Sequence, residues 1–213
     1  LAYNTPVTAI NRNPLYTKLV NTGFKFDVIA VGAAGAISTN FAGTVNVELY
    51  DDAAAPVCSA ATALAGTTQS LTFAASDNGR KTIASNMVLA NAYGKLRCRV
   101  RETTVTACSS DSFTIRPTGF SSVSSTANAD NSGASATNTP IVKAGANFGL
   151  TADTGVVGYN GVPKVNSALL EWQNAPAGGL ASPSTGTLTG SFTTAANAAS
   201  GNGATGSAFT YSE

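Results

Sequence analysis

The chain has 213 residues, 43% of them hydrophobic and 11% charged, with a formal net charge of +1; typical soluble domains are about 25% charged. It contains no histidine, the usual general base near neutral pH and the commonest metal ligand, which excludes Ser-His-Asp, Cys-His and histidine–metal chemistry. Carboxylate-pair hydrolysis is left with eleven acids, none of them in a motif, so a non-enzymatic protein without a cofactor is expected.

The length suits two domains of about 100 residues each. No apolar run reaches the ~18 residues of a membrane span. Residues 1–116 carry ten basic and seven acidic side chains, and residues 117–213 carry two and four. Neither half has the basic face that nucleic acid requires. The sequence opens at Leu1 without an initiator Met and reads as a piece of something longer.

Strand signals recur about every ten residues between Gly, Asn, Asp, Ser and Pro clusters, the spacing of a sandwich. In chain order they are Leu15–Val20, Phe24–Val31, Thr44–Tyr50, Ser70–Ala74, Thr82–Ala90, Lys95–Arg101 and Ser112–Arg116. Seven strands predict an immunoglobulin-like sandwich over 1–116. In Thr44–Tyr50, Val45, Val47 and Leu49 are expected inward and Asn46, Glu48 and Tyr50 outward. The cluster Ser76-Asp77-Asn78-Gly79 supplies a turn.

Lys95–Arg101 carries the sharpest pattern. Period two sets Leu96, Cys98 and Val100 on the core face, and Lys95, Arg97, Arg99 and Arg101 on the other. That row could grip an acidic polysaccharide or a phosphate. The alternative is a solvated face neutralised across the sheet by Glu48, Asp27 or Glu102.

Cys58, Cys98 and Cys108 match no zinc spacing. In a Ser/Thr-rich chain they predict one disulfide and one odd cysteine. A hairpin turning near Thr103 sets Cys108 opposite Cys98, so Cys98–Cys108 is the expected bridge. Its rival joins Cys98 to Cys58.

Arg116-Pro117 marks the expected boundary, because proline ends a strand. Residues 121–139 are too polar to pack and predict a low-complexity loop. Strand candidates follow at Ile141–Val142, Asn147–Thr151, Val156–Tyr159, Ala168–Trp172, Gly186–Phe192 and Ala208–Tyr211, with 193–206 again loop-like. Five or six strands are fewer than a sandwich wants. The second immunoglobulin-like domain, 117–213, is therefore expected to be incomplete at its C-terminus, with open edges that invite pairing or self-assembly.

Other constellations have plainer readings beside the sharp ones. Asp51-Asp52 and the tract 128–133 are oxygen-rich and could hold Ca²⁺, but they lack the spaced ligands of a calcium loop. Glycine stretches such as 201–203 lack the context of a phosphate cradle. Lys25, Lys143 and Lys164 could in principle form isopeptide crosslinks, yet an exposed or snorkelling lysine is the simpler role. Trp172 and Tyr159 could stack on sugars, though packing explains both.

Several segments together resemble the MshQ-like family of bacterial surface proteins associated with mannose-sensitive-haemagglutinin type IV pili. They are Leu15–Leu19, Gly79–Lys81, Leu96–Val100, Ala107–Pro117, Lys143–Phe148, Gly158–Gly161 and Tyr211–Glu213. The cysteine-to-proline segment and Lys143-Ala144-Gly145 are the most specific. The resemblance implies export to the cell surface and partners among envelope or pilus proteins. It brings no catalytic residues. The family's lectin-like domain has no counterpart here, and residues 121–139 do not align.

Two functions follow as expectations. The first is a structural or adhesive module of an exported, pilus-associated protein, contacting partners through edges and loops. The second is a carbohydrate-binding module that meets host or matrix glycans through the 95–101 row.

Overall fold

The computed structural model describes residues 15–126, 145–166, 186–193 and 205–212. Among these the fold is all-β, with several sheets, as in a β-sandwich, and one turn of 3₁₀ helix at Ala75–Asp77. The chain divides into two units, Leu1–Thr118 and Gly119–Glu213. No helix among the described residues is long and apolar enough to cross a membrane.

The first unit contains β1 (Lys18–Leu19), β2 (Asp27–Ile29), β3 (Gly43–Asp51), β4 (Gln69–Phe73), β5 (Arg80–Thr82), β6 (Tyr93–Arg101), β7 (Thr106–Cys108) and β8 (Phe113–Arg116). A six-stranded sheet runs β1-β8-β6-β3-β4, with β7 added on β6. Among the described residues of this unit, only the β1–β8 pairing is parallel. A second, two-stranded sheet pairs β2 with β5. It is prolonged by a bridge between Phe24 and Met87, and Phe24 meets Phe113 of β8 edge-on at 5.8 Å between ring centroids.

β3 and β6 form where Val, Leu and Tyr alternate with polar residues, a pattern that fits a pleated surface. Val45, Val47, Leu49, Leu96 and Cys98 lie buried on one face, joined by Phe24, Val28, Leu71, Phe73, Ile83, Met87 and Phe113. Each such side chain contributes about 1.5–3 kcal/mol by leaving water.

The strand expected over Thr82–Ala90 is much shorter. Bends at Ala84 and Ser85 end it, leaving β5 and the single bridge at Met87. The turn at 76–79 is present. Ala74 N–H donates to Asp77 Oδ2 at 2.8 Å, Asn78 takes φ 51° and Gly79 takes φ 71°. A Cβ on Gly79 would strike the Ser38 carbonyl, so glycine is required there.

The second unit holds β9 (Ser122–Ser125), β10 (Asn147–Asp153), β11 (Thr187–Thr189) and β12 (Thr205–Ser212), in an antiparallel sheet ordered β11-β12-β10-β9. Phe209 is fully buried between Phe148 and Phe192, at centroid distances of 6.2 and 5.1 Å. Ala152, Leu150 and Leu188 complete the cluster.

Two expectations change here. The loop predicted over 121–139 begins instead with β9, whose Ser122–Ser125 pair with Asp153–Leu150; backbone pairing to a neighbour overrides a weak local propensity. Val156–Tyr159 forms a turn, not a strand, with Tyr159 N–H donating to Val156 O at 3.3 Å. The candidates Ile141–Val142 and Ala168–Trp172 lie outside the described residues.

Candidate functional site

The distinctive feature of the first unit is the polar face shared by β3 and β6. Their antiparallel register sets Asn46 opposite Arg101, Glu48 opposite Arg99 and Tyr50 opposite Arg97. Directly opposed residues point to the same side of a sheet, so the even residues of β3 and the odd residues of β6 form one charged stripe.

The middle of that stripe is not solvated. Arg99 is 1% exposed, Glu48 5%, Asp52 3% and Tyr50 0%. The expectation that Glu48 and Tyr50 face outward is therefore corrected: residues 52–67 leave β3 and fold back over them. Thr67 secures this roof. Its hydroxyl accepts from Leu49 N–H at 3.1 Å and donates to Leu64 O at 2.8 Å. Leu64 N–H donates to Leu49 O at 2.8 Å.

Arg99 joins stripe and roof. Its Nε donates to Glu48 Oε1 at 2.6 Å, and its Nη1 donates to the carbonyls of Cys58 at 2.8 Å and Ala61 at 2.5 Å. The guanidinium carbon lies 5.7 Å from the Tyr50 ring centre, within cation–π range. Arg101 Nη1 adds a longer contact to Glu48 at 3.7 Å.

At the other end, Lys95 Nζ and Arg97 Nε lie 2.7 and 3.3 Å from Asp52 Oδ2. These are ion pairs by distance but not by angle. Both Asp52 oxygens, Arg97 Nε and Tyr50 OH are buried without a directed hydrogen-bond partner among the described residues. All four cations of the stripe are thus engaged by two carboxylates. Glu48 was among the neutralising residues expected from sequence. Asp52 was not, because nothing in its surroundings announces burial. Asp27 instead pairs with Arg80 at 2.6 Å, in the other sheet.

The two carboxylates of Asp51-Asp52, weighed above as calcium ligands, point to different partners. Asp51 Oδ1 accepts from Ala53 N–H at 3.0 Å, while Asp52 turns inward against two cations. Among the described residues no three His, Cys, Asp or Glu side chains gather as a metal set, and 128–133 lies outside them. Lys25 Nζ donates to Ala84 O at 2.6 Å, and Lys164 is exposed. Tyr159 packs edge-on against Phe120 at 6.3 Å, a packing role. Lys143 and Trp172 lie outside the described residues.

The disulfide joins Cys58 to Cys108, with Cα atoms 6.1 Å apart, and Cys98 is a buried free thiol. The expected Cys98–Cys108 bridge fails by one residue of register. Glu102 N–H donates to Val105 O at 2.8 Å, which centres the hairpin between Thr103 and Thr104 rather than on Thr103. Cys108 therefore faces Arg99, not Cys98, and a one-residue slip moves a side chain to the opposite face. Cys108 lies on the roofed side beside Arg99, whose guanidinium holds the Cys58 carbonyl. Cys98 points into the core, where burial pushes its thiol up to about 12 although the charge of Lys18 acts the other way.

Compared with known proteins, the chain matches no family model, no curated protein and no solved structure.

Proposed function

We propose that this chain is a non-enzymatic structural or adhesive module of an exported bacterial cell-surface protein, built of two immunoglobulin-like sandwiches in series. The resemblance to MshQ-like proteins associates it with type IV pili. One observation carries the reading: the four cations of β6 face Glu48 and Asp52, and Arg99 among them is sealed beneath a roof pinned by Cys58–Cys108. Charge and covalent chemistry are used here to hold the chain together, and a disulfide is at home in an oxidising compartment.

The test is to trap thiols on intact cells by acid quench and alkylation, then to locate the chain with an antibody in surface and cytoplasmic fractions. The reading expects surface labelling, Cys58 and Cys108 oxidised, and Cys98 reduced. A purely cytoplasmic chain with three reduced thiols overturns it.

A carbohydrate-binding role keeps one supporting observation. Four cations face two carboxylates, and the Lys95 and Arg101 side chains are 49% and 51% exposed. Titration with an acidic polysaccharide tests it. Loss of binding in Lys95→Ala/Arg101→Ala with the fold intact supports the glycan reading, and no binding by the unaltered chain removes it.

A further inference from the structure

The two sheets of the first unit are unequal, and their mismatch leaves a cavity of 510 Å³ between them. Ligand pockets span about 300–1,000 Å³. Its floor is Val45, Phe73, Cys98 and Val100 of the six-stranded sheet, and its wall is Phe26 and Val28. Val45, Phe73, Val28 and Cys98 are each under 9% exposed, so the depth of the cavity is apolar. The Cys98 thiol stays protonated there, for the reason of burial given above, and adds no charge.

The mouth has its own character. Val31 and Val105 stand at its margin, 46% and 56% exposed, which extends the apolar surface outward. Among the described residues, the charged ones that line the cavity are Asp27, Glu102 and Asp111, with no lysine or arginine. Asp27 is neutralised by Arg80. The Asp111 carboxylate accepts the Leu15 backbone N–H at 2.7 Å, and Glu102 is exposed. An anionic head group at this mouth meets repulsion, and a cationic one meets attraction.

We propose that this cavity is a binding site for a single linear aliphatic chain carrying a cationic head group, the tail between the sheets and the head beside Glu102, at the Val105 end of the mouth. The site is separate from the charged stripe of β3 and β6 and does not depend on where the protein resides.

The experiment uses the whole chain and two probe series below their micellar concentrations, alkyltrimethylammonium and alkyl sulfate ions of matched tail length, followed by titration calorimetry. One-to-one binding of the cationic series is expected, tightening about fourfold per added methylene, the factor equivalent to about 0.8 kcal/mol per buried CH₂. That trend should stop when the cavity is full, and sulfates of equal length should bind at least about tenfold more weakly. Glu102→Lys alters only an exposed side chain and should narrow or reverse the head-group preference. Val100→Phe narrows the cavity from its floor and should abolish binding; its fold is checked by circular dichroism. If that variant does not fold, Glu102→Lys decides alone. Binding independent of tail length, equal affinity for both series, many probes per chain, or a head-group preference unmoved by Glu102→Lys each overturns the proposal.

Discussion

Replacing Arg99 with methionine isolates the largest buried electrostatic commitment in the first unit. The Arg99 and Glu48 side chains are 1% and 6% exposed. Arg99→Met keeps most of the apolar volume and removes three hydrogen bonds. It strands the Glu48 carboxylate with, among the described residues, only Arg101, 3.7 Å away, and leaves the Cys58 and Ala61 carbonyls without the Arg99 donor. Removing one partner of a buried pair costs about 3–5 kcal/mol. At about 4 °C per kcal/mol for a unit of this size, the melting temperature should fall by roughly 12–20 °C. Far-ultraviolet dichroism in urea is the assay, because the sole tryptophan, Trp172, belongs to the other unit. The double variant Glu48→Leu/Arg99→Met should recover at least half of the loss, since an apolar pair of similar volume can replace a buried ion pair at little cost. A single variant within about 1 kcal/mol of the parent, the worth of a surface pair, refutes this account. So does a double variant less stable than the single.

Three further outcomes are expected. Reducing Cys58–Cys108, which closes a separation of 50 residues, should destabilise the first unit by about 4 kcal/mol through chain entropy, measured as a urea midpoint with and without reductant. Cys98 should resist iodoacetamide near pH 8 in the native chain and react in guanidinium; its raised ionisation withholds the thiolate that does the reacting, and alkylation mass spectrometry reads the difference. Burial raises the Asp27 carboxyl, but the hydrogen bonds from Thr82 and Arg80 and the Arg80 charge outweigh it and hold the carboxyl below its usual value. Its contribution is therefore present above about pH 4 and is lost as pH falls through the lowered value. Asp27→Asn should flatten the acid limb of the urea midpoint between about pH 5 and about pH 3. The part that remains includes Asp77, held low by the Ala74 N–H and by Lys81.

The sequence carried the strand content and the parity of the central strands, because β3 and β6 alternate strictly. It did not carry which face was covered. Val47, Glu48, Leu49 and Tyr50 are four consecutive buried residues, and alternation cannot distinguish a polar face in water from one under a roof. The roof itself, with Ala53, Ala54, Ala55 and Pro56 near its start, has no periodicity to announce that it folds back. Its anchors are the Thr67 hydroxyl, the Leu64–Leu49 backbone bond, the Arg99 guanidinium and a disulfide. The cysteine pairing turned on whether the hairpin centre fell on a residue or between two, a distinction that two neighbouring threonines leave open. β9 was missed because its serines have no intrinsic strand preference; β10 supplies the pairing.

The parallel pairing of β1 with β8, Lys18 beside Ile115 and Leu19 beside Arg116, has a mechanical consequence. Parallel neighbours place the entering end of the first strand and the leaving end of the last at opposite ends of the sheet. Tension applied through the residues just before β1 and just after β8 therefore shears their ladder, including the 3.0 Å bond from Val20 N–H to Arg116 O. Bonds in shear give way together instead of peeling apart one by one. Forced unfolding is governed by the rate of crossing that barrier rather than by equilibrium stability, so resistance to pulling resides in a short seam at the edge of the sheet.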